Sequence, residues 1–178
     1  MPTHLNLRYA EIEELWGGIV EFQKLAEQYG ISDIFSDNGG KVAQLAIAVG
    51  LDIVPGRQGA DACDRMGNEY ELKTLDLNKK GKGFTTNHHL NAGTVAKYRE
   101  RRFVFALYEG ITLVEAYLVL PSDMEPVYQK WLRSLKGRDH LNNPKIPIDY
   151  VREVGAVMYL KDVAPPWMAG KKHSPQVA

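Results

Sequence analysis

Apolar residues recur at three- and four-residue spacing between Glu11 and Gln28, at Ile12, Leu15, Trp16, Ile19, Val20, Phe22, Leu25 and Ala26, and Gly30 follows at once. That is the one-sided pattern of an amphipathic helix closed by a glycine. The spacing predicts a second helix over Gly40 to Val49, after the tight turn Asp37-Asn38-Gly39-Gly40. Beyond it the period shortens. Short apolar runs bounded by Gly, Asn and Asp predict strands at Asp52 to Val54, Ala60 to Arg65, Tyr70 to Asp76, Phe84 to His89, Arg102 to Tyr108 and Leu113 to Val119. Helices are expected at Ala92 to Glu100 and within Pro121 to Leu135. Lys79 to Gly83 reads as a flexible basic loop. The end from Asp162, with Pro165-Pro166 and Lys171-Lys172, reads as a tail open to disorder.

One predicted hairpin carries chemistry. The turn signal Met66-Gly67-Asn68 separates Asp61 from Glu71 and Lys73. On paired strands, Glu71 and Lys73 share a face because side chains alternate with period two, and Asp61 meets them from the first strand. Two carboxylates and an ammonium then converge. Carboxylate oxygens suit a hard cation such as Mg²⁺, and the ammonium supplies positive charge beside a phosphate. Tyr70, Leu72 and Leu75 suggest one buried face for this strand. Taken alone, Glu71-x-Lys73 also reads as a solvated ion pair on a strand face. Glu69 lies on the same face and is an alternative to Glu71, which is preferred for the lysine two residues on. Cys63, the single cysteine, reads as a small core residue rather than a ligand.

Length and composition bound the setting. A chain of 178 residues with 44% hydrophobic and 25% charged residues is expected to form one domain of ordinary globular composition. No apolar run approaches a membrane span, and the N-terminal residues lack the apolar stretch of a signal peptide, so a cytoplasmic location is expected. Net charge is zero, but it is unevenly spread. Residues 1–40 hold seven acids against two bases, whereas residues 71–105 hold eight bases against three acids. A basic stretch beside the candidate metal site can bind a polyanion by releasing counterions, although a solvated basic face would look the same.

Two polar clusters remain, Asn87-His88-His89 and Asn142-Asn143-Pro144. On a strand, adjacent histidines face opposite ways and do not share a metal. They can instead donate to base edges, and asparagine pairs with adenine in the major groove. Asn142-Asn143 is also an ordinary turn before proline.

From about Glu14 to Tyr159 the chain resembles the PvuII-type restriction endonucleases, type II enzymes of the PD-(D/E)xK nuclease superfamily. The resemblance rests on Asp33-Ile-Phe-Ser-Asp-Asn-Gly-Gly-Lys41, Pro55-Gly-Arg57, Glu69-Tyr-Glu-Leu-Lys73, Ala96-Lys-Tyr-Arg99 and Asn142-Asn-Pro-Lys-Ile-Pro147. It implies an α/β (α+β) fold, a restriction-endonuclease-like central mixed sheet flanked by helices. It further implies a helical dimerisation region over about residues 1–50, a catalytic core over 51–120, a DNA-recognition region over 121–162 and a tail from 163. It also implies a homodimer on double-stranded DNA, no membrane partner, Mg²⁺ as cofactor, and blunt cleavage at the palindrome CAGCTG.

Residue by residue, the resemblance makes Asp61 and Glu71 the metal ligands, Lys73 the catalytic lysine and Tyr98 an active-site tyrosine. It assigns base reading to His88, His89 and Asn143, with Asn142 and Thr85 nearby, and gives Asp37 to a turn approaching the minor groove. Four departures stand out. Asn87 replaces the first of three consecutive histidines, Gln58 replaces a glutamate, the loop from Asn78 to Lys82 is longer and more basic, and residues after Tyr159 are an extension. Two other functions fit the same residues less fully: a repair or branched-DNA nuclease reading shape, and a DNA-binding module whose cleavage is lost.

Overall fold

The apolar run from Phe103 to Tyr108 has no exposed surface, so it can only be a strand covered on both faces. The fold is built around it. In the computed structural model, which describes residues 4–54, 59–81, 83–86 and 88–163, the order is α1 (His4–Glu27), α2 (Gly39–Val49), β1 (Asp52–Ile53), β2 (Ala62–Cys63), β3 (Glu69–Asp76), β4 (Gly83–Thr85), α3 (Ala92–Tyr98), β5 (Arg102–Glu109), β6 (Thr112–Val119), α4 (Glu125–Ser134), β7 (Lys145–Pro147), α5 (Ile148–Val154) and β8 (Ala156–Leu160). Six strands form a mixed sheet in the order β1-β2-β3-β5-β6-β8. Only β3 and β5 run parallel, and the rest of the sheet is antiparallel. This is the expected α+β arrangement with a central mixed sheet.

Alternation along β5 divides the core in two. Phe103, Phe105 and Leu107 pack with Val95, Tyr98, Tyr128 and other residues of the helical layer formed by α3, α4 and α5. Val104, Ala106 and Tyr108 face Leu45 of α2, together with Tyr70 and Leu72 of β3. The parallel register sets Glu71 beside Phe103 and Lys73 beside Phe105. Leu75 has the parity of Glu71, and it packs on the first core while Tyr70 and Leu72 lie in the second. The sequence reading put all three on one face; β3 is instead covered on both sides, as its place inside the sheet requires.

At its end α1 closes as expected. Ile31 N–H donates to Ala26 O, Gly30 N–H donates to Glu27 O, and Gly30 has φ 80°, the glycine-ended Schellman arrangement. The Gln23 side chain then ties the following turn to the helix through Ser32 O and Ile34 N–H. Gly39 opens α2 where a Cβ would meet Asp33 O at 2.3 Å, so a larger residue cannot enter without moving backbone. Ile19 and Phe22, within the expected dimerisation region, are half-buried against Ile34 and Ala43 of the same chain. Trp16 stays 47% exposed and stacks on Phe35, itself 68% exposed, with ring centroids 6.0 Å apart. Among the described residues no helix is long and apolar enough to cross a membrane.

β7, α5 and β8 carry no periodic signal along the chain. β7 is three residues long with Pro144 before it and Pro147 within it, and it pairs with β4, some sixty positions upstream. β8 is a short apolar edge strand on β6. The predicted tail from Asp162 lies outside the described residues from 164 onward.

The β2–β3 hairpin is locked by one side chain. Asp64 Oδ1 accepts from the N–H groups of Met66 and Asn68 at 2.9 Å each. Its Oδ2 accepts from Asn68 Nδ2 at 2.7 Å and Tyr70 Oη at 3.0 Å. The Asn68 side-chain donor above all, with the other three, holds the Asp64 pKa down at about 2, below its ordinary 3.8. A depressed carboxyl pKa adds stability that is complete above the unfolded value and is lost as pH falls through the folded one. Asp64→Asn is therefore expected to unfold more readily at neutral pH. Denaturant unfolding of both proteins across acid pH should show the wild-type advantage constant above about pH 5 and vanishing near pH 2. An advantage that persists undiminished at pH 2 would contradict this account.

Candidate active site

The hairpin delivers Asp61 one residue ahead of β2, already inside the ladder. Its N–H donates to Tyr70 O, and its carbonyl accepts from Val54 N–H, both at 3.0 Å. Its Oδ2 accepts the Leu72 N–H at 2.8 Å, which turns the carboxylate toward β3. There Lys73 Nζ donates to Glu71 Oε1 at 2.6 Å. These two side chains are only 15% and 10% exposed, and Glu71 is the only buried charged residue among the described residues. The pair is therefore no solvated surface pair.

A second cation meets Glu71 from the other side. Arg101, just before β5, brings Nη1 to 3.5 Å from Glu71 Oε2 and donates from the same nitrogen to Gly59 O at 2.8 Å. Its Nε lies 3.3 Å from Glu69 Oε2. Sequence reading missed this role, since Arg101 is one of eight bases in its stretch. The signal lay in the parallel register, which starts at Tyr70 opposite Arg102 and so sets the residue before it opposite Glu69.

Electrostatics tie these groups together. Burial first, then the charge of Glu71, raises the Asp61 pKa above its ordinary value, against the Leu72 N–H and the charges of Lys73 and Arg101. Asp61 still opens on a cavity of about 390 Å³, which it lines with Asp37, Asn38 and Ile53. Asp37, with φ 45°, thus shares a cavity with Asp61. Tyr98 stands edge-on to Phe103, ring centroids 5.1 Å apart. Its hydroxyl is buried and has no hydrogen-bond partner among the described residues. Burial, then the charges of Glu71 and Asp61, pushes its pKa up.

The residues fit a divalent cation. Among the described residues there is no group of three or more His, Cys, Asp or Glu that could hold a metal, so a hard ion here draws on two carboxylates, with water and phosphate completing its shell. Two neighbouring like charges, one of them buried, are what such an ion relieves. The orphaned Tyr98 hydroxyl is a donor and acceptor that a water in this site would satisfy.

A second group assembles apart from the first. β4 and β7 pair with Thr85 opposite Lys145 and Phe84 opposite Ile146, and Leu90 bridges to Leu141 beyond them. This juxtaposes the two polar clusters: Asn143 Nδ2 and His88 Nδ1 are 3.0 Å apart, across 55 positions of chain. Asn143 has φ 43°, a left-handed conformation that asparagine tolerates. His89 stands edge-on to His140 at 4.5 Å. His88, His89, Thr85 and Asn142 are exposed. The strand predicted to reach His89 ends at Thr85, and both histidines sit in a turn, because the pairing with β7 runs out there. Cys63 is half-buried rather than core. Gln58 and Asn87 lie outside the described residues.

A family model described as Restriction endonuclease PvuII matches residues 7–159. The chain belongs to this family, and so to the restriction endonucleases, nucleases that bind duplex DNA.

The orphaned hydroxyl carries its own prediction. Leaving a buried hydroxyl unpaired costs about 1–3 kcal/mol. In protein freed of divalent ions, Tyr98→Phe should therefore be neutral or stabilising by up to about 1 kcal/mol in denaturant unfolding, where most core substitutions destabilise. A clear loss of stability would mean that the hydroxyl has a partner after all.

Proposed function

We propose that this chain is a type II restriction endonuclease that cuts both strands of duplex DNA at a short palindrome, CAGCTG, leaving blunt ends, with Mg²⁺ as its cofactor. The observation that carries this reading is the grouping of Asp61, Glu71 and Lys73, with Lys73 Nζ 2.6 Å from Glu71 Oε1 in a poorly hydrated site. Asp61 and Glu71 hold the cation, which when bound supplies Lewis-acid polarisation of the phosphoryl group and activation of water. Lys73 sets its ammonium where negative charge grows on the phosphoryl oxygens, and the enclosure strengthens that attraction. Leu72 N–H fixes the orientation of Asp61. Tyr98 Oη, without a partner among the described residues, orients the attacking water.

Sequence is read by the paired β4–β7 unit. The Asn143 amide reads adenine, and its contact with His88 holds both side chains in register with the base edges. Thr85, His89 and Asn142 flank them, and Asp37 approaches the opposite groove beside Asp61. A two-fold homodimer presents two such sites to a palindrome. Support for a dimer comes from the exposed Trp16 and Phe35 stack, extended by Ile12 and Leu15, which are 55% and 70% exposed.

Plasmid DNA incubated with the protein and Mg²⁺ tests the function: discrete fragments support it, whereas smears, junction-only cutting or a mobility shift without cleavage oppose it. Lys73→Ala should lower the cleavage rate about a hundredfold or more while leaving DNA binding intact. A Lys73→Ala enzyme that cuts at the parent rate would remove the assignment.

Asn143→Ala should abolish most specific binding, since one good base contact discriminates by roughly 1–3 kcal/mol, and leave salt-sensitive non-specific binding. Ends sequenced from a cleaved random library should centre on CAGCTG with a minority of single-base variants, because Asn87 stands where the family has histidine. Trp16→Glu should yield folded monomers without double-strand cleavage, read by sedimentation together with circular dichroism. Full activity from a wild-type monomer would exclude the dimer.

A further inference from the structure

We propose that Arg101 is a built-in counter-ion of Glu71, competing with the divalent cation for that carboxylate and so setting metal affinity at the Asp61 and Glu71 pair. The inference rests on the reading of those two residues as metal ligands. Glu71 needs no second cation to satisfy it, because Lys73 Nζ already sits 2.6 Å from Oε1. Yet Arg101 Nη1 lies 3.5 Å from Oε2, inside a site where its side chain is 18% exposed. Locally three carboxylates, Asp61, Glu69 and Glu71, face two fixed cations, Lys73 and Arg101. The guanidinium is anchored by its bond to Gly59 O at 2.8 Å, so leaving the site forfeits a backbone hydrogen bond. Arriving metal therefore meets a positive charge that stays beside one of its ligands.

Two roles for this arginine predict opposite signs. If Arg101 merely positions Glu71, its loss loosens the ligand and weakens metal binding. If it is a competing counter-ion, its loss leaves the site one charge more negative and strengthens metal binding, while a phosphate backbone is repelled more strongly. Its proximity thus offsets the carboxylate charge without metal and lowers the affinity with which a metal binds. Arginine suits this task better than lysine because its fork engages a carbonyl and two carboxylates at once and stays charged at any accessible pH.

The test is calorimetric titration of Ca²⁺, a hard oxygen-seeking cation, into DNA-free protein at fixed ionic strength. Wild type, Arg101→Gln, Arg101→Met, Arg101→Lys and Glu71→Gln are compared, with circular dichroism establishing that each is folded. Both neutral variants should bind Ca²⁺ on the order of tenfold more tightly than wild type. Arg101→Lys should stay within about threefold of wild type, since it keeps the charge. Ca²⁺ should raise the melting temperature more in the neutral variants than in wild type. In chelator, the same variants should bind duplex DNA more weakly. Unchanged or weaker Ca²⁺ binding in folded Arg101→Gln and Arg101→Met, with Glu71→Gln impaired, overturns the counter-ion role alone. Full Ca²⁺ binding by Glu71→Gln overturns the metal-ligand reading and the inference with it.

Discussion

The parallel register between β3 and β5 is the constraint from which the site follows. Side chains on paired strands alternate together, so placing Glu71 beside Phe103 commits Glu71 and Lys73 to the side of the sheet where Tyr98 lies. A slip of one residue would send Tyr70 and Leu72 out of their core and turn Glu71 and Lys73 toward α2. That exchange is prohibitive, since β5 is buried on both faces and each face has a fixed apolar complement. Chemistry is thus held in place by hydrophobic burial rather than by contacts among the polar groups.

The polar groups are then left with an electrostatic problem. Glu71 is buried and cannot be solvated freely, and its charge raises the proton affinity of Asp61, which keeps an exposed side. Lys73 and Arg101 answer part of that demand from opposite oxygens of Glu71. The Tyr98 hydroxyl answers none of it and has no partner among the described residues. Such unresolved polarity is a cost that folding alone does not explain, and a site for a cation and its water does.

Much of this was legible along the chain because it is local. The hairpin, its turn at Gly67 and the alternation of Glu71 with Lys73 depend on residues within a short window, and the fold honours them. The apolar run at 103–108 announced its own burial. What stayed hidden depends on distance. β7 acquires strand geometry from β4, and the two polar clusters meet only after that pairing, so no local period marks Lys145 to Pro147. Arg101 reads as one base among several until the register brings it to Glu69. The histidines read as strand because Phe84 and Thr85 are strand, but the partner ends before reaching them. Leu75 was misassigned for a simpler reason: parity sets its face, and its apolar character alone does not.

The same core also joins the two polar groups, the carboxylates with Lys73 and the asparagine and histidine cluster. Phe84 of β4 packs on Phe105 at 4.8 Å, Phe105 stacks on Phe103 at 5.5 Å, and Phe103 meets Tyr98 edge-on at 5.1 Å. Opposite Phe84 in the strand pair stands Ile146, three residues beyond Asn143. No hydrogen bond or ion pair among the described residues links the asparagine and histidine cluster to the carboxylates, so aromatic packing is what fixes their separation. A close-packed interior has little slack, and an offset at β4 must be taken up by rings that end at the site tyrosine. For a nuclease that must read and cut at a fixed spacing, an apolar wall is a better ruler than a polar tether, since DNA and solvent do not compete for its contacts.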